Sequence, residues 1–311
     1  MNEVAGSSQH KPRALITGIN GFTGPYAAKE LEQAGYQIFG ICNVGSSGNE
    51  AIYKVDLCDS ESVLNAIELI NPDVVVHLAA ISFVPHGNVE DIYKINIVAT
   101  NNLLAALDKS SHAPRAILLA SSSQVYGKSA VGLVDESFDP LPENDYAVSK
   151  LAMEHMARLW LDRLPIFFVR PFNYTGVGQA PHFVIPKIVS HYGSNEVKIE
   201  LGNINIIRDF SDVRMVASVY RKLLDVAPIG EAINICSGGG CSIKKVLTEL
   251  SDIAGYQIQV SVNPDFVRAD EVKAVVGCND KLHSIVGDFD IIPIRETLEW
   301  MYDDFKNSNQ Q

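Results

Sequence analysis

The 311-residue sequence has few cysteines and no long run of apolar residues. Its five cysteines include no Cys-x-x-Cys pair and its eight histidines no His-x-x-x-His pair, so we expect neither a disulfide framework nor a bound metal. Every apolar stretch falls short of the roughly 20 residues that span a bilayer. The first residues lack the apolar core of a secretory signal, and we interpret residues 1–11 as a flexible leader. These absences predict a reduced, cytoplasmic protein that does not enter a membrane.

Positive charge is also scarce. Lys and Arg number 25 against 37 Asp and Glu, which gives a formal net charge of −12. Such a surface repels the phosphate backbone of nucleic acids, so we exclude a general nucleic-acid partner. A few local arginines still suffice to bind one small phosphorylated ligand. The apolar fraction of 47% and the charged fraction of 20% are those of an ordinary globular protein.

Short apolar runs alternate with amphipathic stretches through the first half of the chain. Predicted strands occupy residues 13–17, 36–41, 52–55, 73–78, 116–120 and 166–169. This alternation predicts repeated βαβ units, and so an α/β fold with a doubly wound parallel sheet of the Rossmann type over residues 12–170. Beyond Pro171 the elements become shorter and mixed. We expect residues 171–311 to form mainly a smaller mixed α/β substrate domain, with segments that return to the first domain.

A glycine-rich turn joins the first predicted strand to the first helix, in the pattern Gly-x-x-Gly-x-x-Gly. Gly18 permits the tight turn, Gly21 lets the backbone approach a pyrophosphate, and Gly24 lets the helix pack closely on the sheet. The helix N-terminus adds amide donors and a positive dipole. A turn without a ligand is the alternative, but its place in the first βαβ unit favours a dinucleotide. The predicted contacts from the turn are Gly18, Asn20, Gly21, Phe22, Thr23 and Gly24.

The end of the second strand bears on which dinucleotide binds. An acidic residue there would hydrogen-bond the free ribose hydroxyl of NAD, yet the sequence has no acid before Glu50. Side chains that can hydrogen-bond the 2′-phosphate of NADP follow the strand instead: Asn43, Ser46 and Ser47. The sequence therefore favours NADP(H) and leaves NAD(H) open. After the third strand, Asp56 and Leu57 are candidate adenine contacts, and a loop-capping role is the alternative for Asp56.

Tyr146 and Lys150 are spaced i and i+4, which places both side chains on one face of a helix. A tyrosine with a pKa of about 10 is a poor acid–base catalyst until a nearby cation favours the phenolate, and Lys150 supplies that cation. Upstream, residues 121–123 are serines that end a buried strand at the carboxyl edge of the sheet, where such folds bind ligands. A serine hydroxyl there can hydrogen-bond a carbonyl oxygen and share its proton with Tyr146.

Together these motifs resemble the extended short-chain dehydrogenase/reductase family. Five segments carry the resemblance, which extends over nearly the whole chain after the leader: residues 17–24, 77–80, 121–127, 146–150 and 170–173. Members mostly act on nucleotide-diphosphate sugars as epimerases, 4,6-dehydratases or 4-keto reductases. The resemblance implies Ser122, Tyr146 and Lys150 as catalytic residues. Besides Tyr146 and Lys150, it adds three predicted cofactor contacts: Leu78, Ala79 and Ala80.

Residues 122–127 discriminate among these activities. In the 4,6-dehydratases of the family, a hydroxyl residue lies four places before the Tyr-Gly pair. The next two residues carry acidic side chains, and the glutamate of these two removes the C5 proton. This sequence has Ser123 and Gln124 at those places. An amide cannot remove that proton, so dehydration is not expected. The same register assigns the catalytic role to Ser122 rather than to Ser121 or Ser123.

The second half of the chain most resembles the GDP-4-keto-6-deoxy-D-mannose reductases, which form GDP-D-rhamnose. Four segments carry this resemblance: residues 173–179, 208–213, 234–238 and 268–272. It implies a GDP-linked 4-keto-6-deoxy sugar as the substrate. The implied substrate contacts are Ser82, Ser122, Ser123, Asn173, Arg208, Arg268 and Glu271. The two arginines would hold the diphosphate, for which a guanidinium fork is well shaped, and Glu271 would reach the nucleotide ribose.

The sequence thus predicts an NAD(P)H-dependent reduction of the sugar 4-keto group. One alternative is a nucleotide-sugar 4-epimerase, which uses the same three residues and recycles tightly bound NAD. A non-catalytic NADP-binding regulatory protein is another, although such a protein would be expected to lose part of the catalytic set. Two positions depart from the reductase pattern: Tyr174 replaces a common histidine, and Met215 replaces an acid.

The helix that carries Tyr146 and Lys150 is apolar on two sides. One stripe is expected to face the sheet: Val148, Leu151, Ala152 and Leu159. A second stripe is expected to face a partner subunit: Met153, Ala157, Trp160 and Leu164. A helix that is apolar on both sides is buried on both sides, and in the family such helices form a four-helix interface. We therefore predict a homodimer; packing of the second stripe within the same chain is the alternative.

Overall fold

The computed structural model describes residues 11–43, 50–82, 88–266 and 272–308. Its main sheet consists of seven parallel strands: β1 (Arg13–Thr17), β2 (Gln37–Cys42), β3 (Ile52–Lys54), β4 (Val74–His77), β5 (Ala116–Ala120), β7 (Ile166–Pro171) and β11 (Ala232–Ile235). They are hydrogen-bonded in the order β11-β7-β5-β4-β1-β2-β3. The direction of winding reverses between β1 and β4. In open α/β sheets the ligand crevice lies at the carboxyl ends of the strands at such a reversal.

Helices cover both faces of the main sheet. The helices of the described residues, including those that lie away from the main sheet, are α1 (Gly24–Gln33), α2 (Ser60–Ile70), α3 (Val89–Tyr93), α4 (Ala99–Lys109), α5 (Asp145–Arg158), α6 (Val184–Gly193), α7 (Val213–Val226), α8 (Ile243–Ala254), α9 (Asp280–Val286) and α10 (Ile294–Ser308). A π-helical turn, Lys94–Val98, joins α3 to α4. Alternate strand residues face opposite sides, so Leu15 packs with α2, α4 and α5, whereas Ile16 packs with α1 and α7. Among the described helices, none is both long enough and apolar enough to cross a bilayer.

A second, mixed sheet lies beyond the main one. Its strands are β6 (Gly132–Val134), β8 (Asn173–Thr175), β10 (Ile207–Asp212), β12 (Gly240–Ser242) and β14 (Ala274–Gly277). They run in the order β12-β10-β14-β6, and β8 pairs with the other half of β10. A separate pair consists of β9 (Lys198–Leu201) and β13 (Gln259–Val262). Together with α6, α8 and α10, residues of these strands form a core distinct from the two cores of the main sheet.

The two sheets exchange segments across the expected domain boundary. β11 and α7 follow Pro171 in the chain but pack in the main sheet and on its face. Conversely, β6 precedes Pro171 but pairs with β14 in the second sheet. The division at residues 170 and 171 remains a prediction. Residues 1–10 of the expected leader lie outside the described residues.

The predicted α/β fold with a doubly wound parallel sheet is confirmed. All six strands expected in the first half are present, with ends that agree within two residues. The continuous apolar composition of strands such as β4 and β5, each covered on both faces, explains why they are recognisable in the sequence.

The assignment of the two apolar stripes on α5 was wrong. Met153 and Ala157 are fully buried in the core beneath the sheet, whereas Val148 is 37% and Leu159 is 77% exposed. The physical reason is the position of Lys150, whose side chain reaches the end of β5. Residues three, four and seven places after Lys150 must then face the sheet with it.

Candidate active site

The glycine turn lies at the carboxyl end of β1, where the winding of the sheet reverses. Gly18 has a φ of 71°, and a Cβ atom there would lie 2.9 Å from the backbone nitrogen of Ala79. The Gly21 amide donates to the Gly18 carbonyl at 2.9 Å and closes the turn. A Cβ at Gly24 would lie 2.1 Å from the carbonyl oxygen of Ile19. Gly24 is therefore required by the turn itself, not by packing of the helix on the sheet as expected.

The start of α1 fits a bound phosphate. Thr23 precedes α1, but its hydroxyl makes no capping hydrogen bond. The first turn of α1, all of whose residues the structure describes, contains no acidic side chain. The first amide groups of a helix have no partner within it and give its N-terminus a partial positive charge. Asn20 and Gly21 are exposed at the tip of the turn, and Phe22 is half-buried behind them. These residues supply the donors and the open backbone that a dinucleotide pyrophosphate needs.

The segment after β4 forms the neighbouring wall of this turn. The Leu78 amide donates to the Thr17 carbonyl at 3.2 Å, and the Ala79 amide donates to the Thr17 hydroxyl at 3.2 Å. Leu78, Ala79 and Ala80 thereby follow the turn closely along the carboxyl edge, as their predicted role in cofactor binding requires.

The predicted adenosine contacts meet at the ends of β2 and β3. Cys42 and Lys54 are paired in the sheet, so Asn43 and Asp56 follow at the same edge. Both side chains are exposed, and an Asp56 oxygen accepts the Cys58 amide at 2.8 Å, the loop-capping bond that was the alternative. The neighbouring Leu57 is buried in the core. Ser46 and Ser47 lie outside the described residues.

Ser122, Tyr146 and Lys150 come together at the carboxyl end of β5. The Ser122 hydroxyl lies close enough to the Tyr146 phenol to influence its ionisation. Lys150 is buried one turn further along α5, and its Nζ donates to the Ala120 carbonyl at 2.7 Å. The Asn144 side chain caps α5 by accepting the amide of residue 147 at 2.9 Å, which fixes the helix at its catalytic end.

Burial sets the protonation of these groups. It raises the pKa of the Tyr146 phenol above its usual value; nearby Tyr174 adds to this effect, and the nearby Ser122 hydroxyl opposes it. Burial lowers the pKa of Lys150 to about 8, against the opposing effect of the Glu154 carboxylate. At neutral pH the site therefore holds a protonated phenol close to an ammonium group. This arrangement can give a proton to an oxygen atom that becomes negative.

A chain of hydrogen bonds beneath the site joins β1, β4 and α4. His77 Nδ1 lies 2.7 Å from the Thr17 hydroxyl, and its Nε2 lies 2.8 Å from the Thr100 hydroxyl. Because Thr100 donates to the Asn96 carbonyl at 2.9 Å, its oxygen accepts from His77 Nε2, and Nδ1 accepts from Thr17. Burial lowers the pKa of His77 to about 3, so the ring is neutral. This chain of hydrogen bonds holds together the two strand ends that carry the predicted cofactor contacts.

Asn96, in the π-helical turn, connects the loop after β4 to α5. Its side chain makes two hydrogen bonds with the Ile81 backbone, at 2.9 and 3.1 Å, and donates to the Ser149 hydroxyl at 2.9 Å. Ser149 in turn donates to the Tyr146 carbonyl at 2.7 Å. Ser82, a predicted substrate contact, directly follows this fixed point and is exposed.

Tyr174 joins the second sheet to the cofactor turn. Its phenol lies 2.9 Å from the Thr23 hydroxyl, and its ring stacks on Phe22 with centroids 5.7 Å apart. Tyr174 also lies close enough to Tyr146 to influence its ionisation. The preceding residue, Asn173, has an exposed side chain that donates to the Asp209 carbonyl at 3.2 Å. The predicted substrate contact Asn173 therefore lies next to a residue that contacts the cofactor turn.

Of the remaining predicted substrate contacts, Ser123 adjoins Ser122, Arg208 lies on β10, and the other two are outside the described residues. Ser123 begins the 3-10 segment that follows Ser122. Arg208 lies on β10 and donates to the carbonyls of residues 207 and 272 at 2.8 and 2.9 Å. Arg268 and Glu271 lie outside the described residues. The Arg208 guanidinium thus lies against the carbonyl of Val272.

Sequence reasoning missed a buried ion pair behind the catalytic helix. Glu154 lies four residues after Lys150, and both of its carboxylate oxygens accept hydrogen bonds from Arg170 on β7. A charged residue within the otherwise apolar run of β7 was the available signal. Its partner could not be identified without the packing of α5 on the sheet.

Comparison with known proteins identifies the family. A model described as the NAD dependent epimerase/dehydratase family matches residues 14–236, which is more than half of the chain. The chain belongs to this family. The predicted resemblance to the extended short-chain dehydrogenases/reductases is thereby confirmed, and so is an NAD(P)-dependent enzyme at the level of the family.

Two relatives have specific names. The chain is 34% identical to a GDP-6-deoxy-D-talose 4-dehydrogenase from Aggregatibacter actinomycetemcomitans, over 93% of this chain and 97% of the relative. It is 31% identical to a GDP-6-deoxy-D-mannose reductase from Pseudomonas aeruginosa, over 95% of this chain and 97% of the relative. Both names describe oxidoreduction of a GDP-linked 6-deoxyhexose.

Two solved structures are also similar over nearly their whole length. One, from Burkholderia cenocepacia J2315 and provisionally described as an epimerase, is 48% identical with a TM-score of 0.91, and the match covers 95% of this chain and 98% of that one. The other is RMD from Pseudomonas aeruginosa complexed with NADPH, 30% identical with a TM-score of 0.84, and the match covers 96% of this chain and 98% of that one.

Proposed function

We propose that the protein reduces the 4-keto group of GDP-4-keto-6-deoxy-D-mannose with NADPH and forms GDP-D-rhamnose. The observation that carries this proposal is the group formed by Ser122, Tyr146 and Lys150 at the sheet edge beside the dinucleotide turn. D-Rhamnose is 6-deoxy-D-mannose, so the Pseudomonas aeruginosa relative is named for the same product sugar.

Each catalytic residue has a role that follows from its surroundings. When bound, the reduced nicotinamide supplies a hydride to C4 of the sugar. Tyr146, whose pKa is raised by burial, remains protonated at neutral pH and gives its proton to the C4 oxygen. Ser122 orients that oxygen through its hydroxyl. Lys150 holds the cofactor ribose, and its positive charge makes loss of the Tyr146 proton easier.

The residue after Ser123 supports reduction over dehydration. Gln124 occupies the place of the dehydratase glutamate, and its side-chain oxygen accepts a hydrogen bond from the α5 capping residue Asn144 at 3.3 Å. An amide held in this way has no basic atom for removal of a C5 proton. GDP-mannose should therefore not be converted to its 4-keto-6-deoxy form by the pure protein.

We also assign the residues that bind the substrate. Asn173 is exposed beside Tyr174, and the Arg208 guanidinium donates to the Val272 carbonyl. We assign the two arginines to the diphosphate and Glu271 to the nucleotide ribose. Ser82 and Ser123, at the same edge as Ser122, are assigned to the sugar.

A 4-epimerase that keeps NAD bound is the second candidate, because the Burkholderia cenocepacia structure is provisionally described as an epimerase. The same three residues would serve it. The two candidates differ in net chemistry, since only a reductase consumes added NADPH.

We also propose a homodimer, but through the face of α5 that the structure leaves exposed. Val148, Ala152 and Leu159 recur at helical spacing on that face, and Val98 is exposed at the end of the π-helical turn that packs beside α5. Solvent-exposed apolar stripes on neighbouring helices are typical of subunit contacts. A cytoplasmic location remains a prediction from the sequence.

The experiment that tests the function is an assay of NADPH oxidation against a panel of nucleotide 4-keto-6-deoxy sugars. The GDP-linked mannose derivative should be the preferred substrate, and the C4 configuration of the product should be that of rhamnose. Tyr146→Phe should lower turnover about 10²-fold or more, the scale of general-acid catalysis, with little change in NADPH affinity. A product with the talose configuration would move the assignment to the activity named for the Aggregatibacter relative. No NADPH oxidation with any member of the panel would refute the reductase proposal.

A further inference from the structure

The catalytic lysine shares its helix with a buried carboxylate. Glu154 follows Lys150 by one turn on α5, and both side chains are almost completely buried. Glu154 is held from β7, because Arg170 donates from Nε and from its terminal nitrogen to the two carboxylate oxygens at 2.9 and 2.7 Å. The exposed fractions of the Arg170 and Glu154 side chains are 8% and 2%. Water screens charges poorly at such depth, so each charge acts strongly on its neighbours.

The pair continues into a network that reaches the second sheet. Arg170 donates to the Tyr126 phenol at 3.1 Å, and that phenol donates to the Asn234 side chain at 2.8 Å. Asn234 donates from its side chain to the Val134 carbonyl at 3.1 Å and from its backbone to Glu136 at 2.7 Å. The catalytic helix is thus joined to β6, β7, β11 and the 3-10 segment after Ser122. None of these bonds involves the proton donor Tyr146 directly.

We propose that Glu154 and Arg170 are positioning residues for Lys150. The Glu154 carboxylate keeps Lys150 in its ammonium form, and the Arg170 guanidinium holds that carboxylate in place and partly neutralises its charge. This inference rests on the proposed function, because it concerns a residue of the proposed catalytic group.

The charged and titratable groups around Lys150 support this division of roles. On α5, Tyr146 precedes Lys150 by one turn and Glu154 follows it by one turn. The neutral His77 lies on β4, and the Ala120 carbonyl of β5 accepts the bond from Lys150. Arg170 reaches the lysine through Glu154. Burial lowers the pKa of Lys150 to about 8, and Glu154 is the charged group that opposes this fall. Lys150 therefore remains an ammonium at neutral pH in part because Glu154 lies one turn away on the same helix.

The two members of the pair should act on Lys150 in opposite directions. Glu154→Gln removes the nearby anion and leaves the Arg170 cation, so Lys150 should lose its proton at a lower pH. Arg170→Gln leaves the carboxylate unneutralised, so Lys150 should keep its proton to a higher pH. Each shift should be about one pH unit, as expected for a charge within a few ångströms at an intermediate dielectric. A purely structural brace would lower stability in both variants without moving the titration of Lys150.

The test is a direct titration of Lys150 by NMR in protein that carries lysine labelled with ¹³C at Cε. The resonance missing from Lys150→Met identifies Lys150, and its chemical shift is followed with pH. The wild-type midpoint should lie near 8, that of Glu154→Gln lower and that of Arg170→Gln higher. Tyr126→Phe is the matched control, because it breaks the Arg170 and Asn234 bonds without changing a charge, and its midpoint should equal that of the wild type.

Midpoints that do not move, or that move in the same direction in the two charge variants, would overturn the proposal. If either single variant fails to fold, Glu154→Gln combined with Arg170→Gln replaces the ion pair with two amides. Its midpoint should lie below that of the wild type, because the anion nearer to Lys150 is lost; an unchanged midpoint would again contradict the proposal. The titration needs neither cofactor nor sugar, so its outcome is separable from the outcome of the reductase assay.

Discussion

The phenol of Tyr174 lies 2.9 Å from the hydroxyl of Thr23, and this contact connects the two halves of the active site. Thr23 belongs to the turn that fits the cofactor pyrophosphate, whereas Tyr174 lies on β8 of the second sheet. Stacking of the Tyr174 ring on Phe22 strengthens the connection. The cofactor turn is therefore held against the strand that carries the predicted substrate contact Asn173. Tyr174, which replaces a histidine common in the related reductases, thus contacts both Thr23 and Phe22 of the cofactor turn.

Loss of this hydrogen bond should weaken cofactor binding. Tyr174→Phe keeps the stacked ring but removes the bond to Thr23, so we expect NADPH affinity to fall by about three- to tenfold, the value of one hydrogen bond. NADPH fluorescence titration measures the change. Tyr192→Phe is the control, because it also removes a phenol hydrogen bond, at 3.2 Å to the Leu247 carbonyl, but in the separate core formed by α6 and α8. Equal effects of the two substitutions would mean that Tyr174 only stabilises the fold.

The pH dependence of reduction should report Lys150. Burial lowers its pKa from 10.5 to about 8, so the ammonium is present below that pH and is lost as the pH rises through it. We expect kcat/KM to fall above a pH of about 8. The phenol of Tyr146 does not account for this fall, since its pKa is raised and it stays protonated. Lys150→Arg keeps a positive charge at these pH values, and the fall near 8 should be absent from its profile even if its rate is lower. Persistence of the fall in Lys150→Arg would assign it to another group.

Cofactor preference should depend on the end of β2. Asn43 is exposed there and presents no negative charge to a 2′-phosphate, so NADPH should be used at least as well as NADH. Asn43→Asp should shift the ratio of kcat/KM values toward NADH by about tenfold, through repulsion of the phosphate. Gln37→Glu makes the same chemical change at the exposed opposite end of β2 and should leave the ratio unchanged. A strong NADH preference of the wild type would contradict the interpretation of this strand end.

The proposed dimer should depend on the exposed face of α5. Leu159→Glu places a charge in the proposed contact but at a position that is 77% exposed in the single chain, so it should yield folded monomers. Light scattering at micromolar concentration measures the mass. Leu69→Glu, at a 62% exposed position on α2, is the control and should remain dimeric. A wild-type monomer, or a dimer that persists in Leu159→Glu, would refute this interface.

The fold was largely predictable because its strands are distinct in the sequence. β4 and β5 are short apolar runs between helices, and the carboxyl ends of such strands share one edge in any doubly wound sheet. That rule alone brings residues 18–24, 122 and 146–150 to the same region. The rule brings all three serines of residues 121–123 to this edge, and the choice of Ser122 among them came from the resemblance to the family.

Other features depended on packing that the sequence does not encode locally. α5 has two apolar stripes, and hydrophobic spacing does not say which one faces the sheet. The position of Lys150 would have decided the question, because Met153 and Ala157 must share its face. The Glu154–Arg170 pair joins residues 16 positions apart in the chain and on different elements, so neither residue indicates the other. Tyr174 and Thr23 are separated by 151 positions, and their contact depends on how β8 is placed beside the turn.

The measurement that tests the central claim most directly is the fate of deuterium from NADPH labelled at the transferable position of C4. A 4-keto reductase should consume one equivalent of labelled NADPH for each GDP-4-keto-6-deoxy-D-mannose and place the deuterium at C4 of GDP-D-rhamnose. Mass spectrometry and NMR of the product detect it, and Tyr146→Phe should slow its appearance about 10²-fold or more. Interconversion of C4 epimers without NADPH consumption and without deuterium in the product would contradict the account and identify an epimerase.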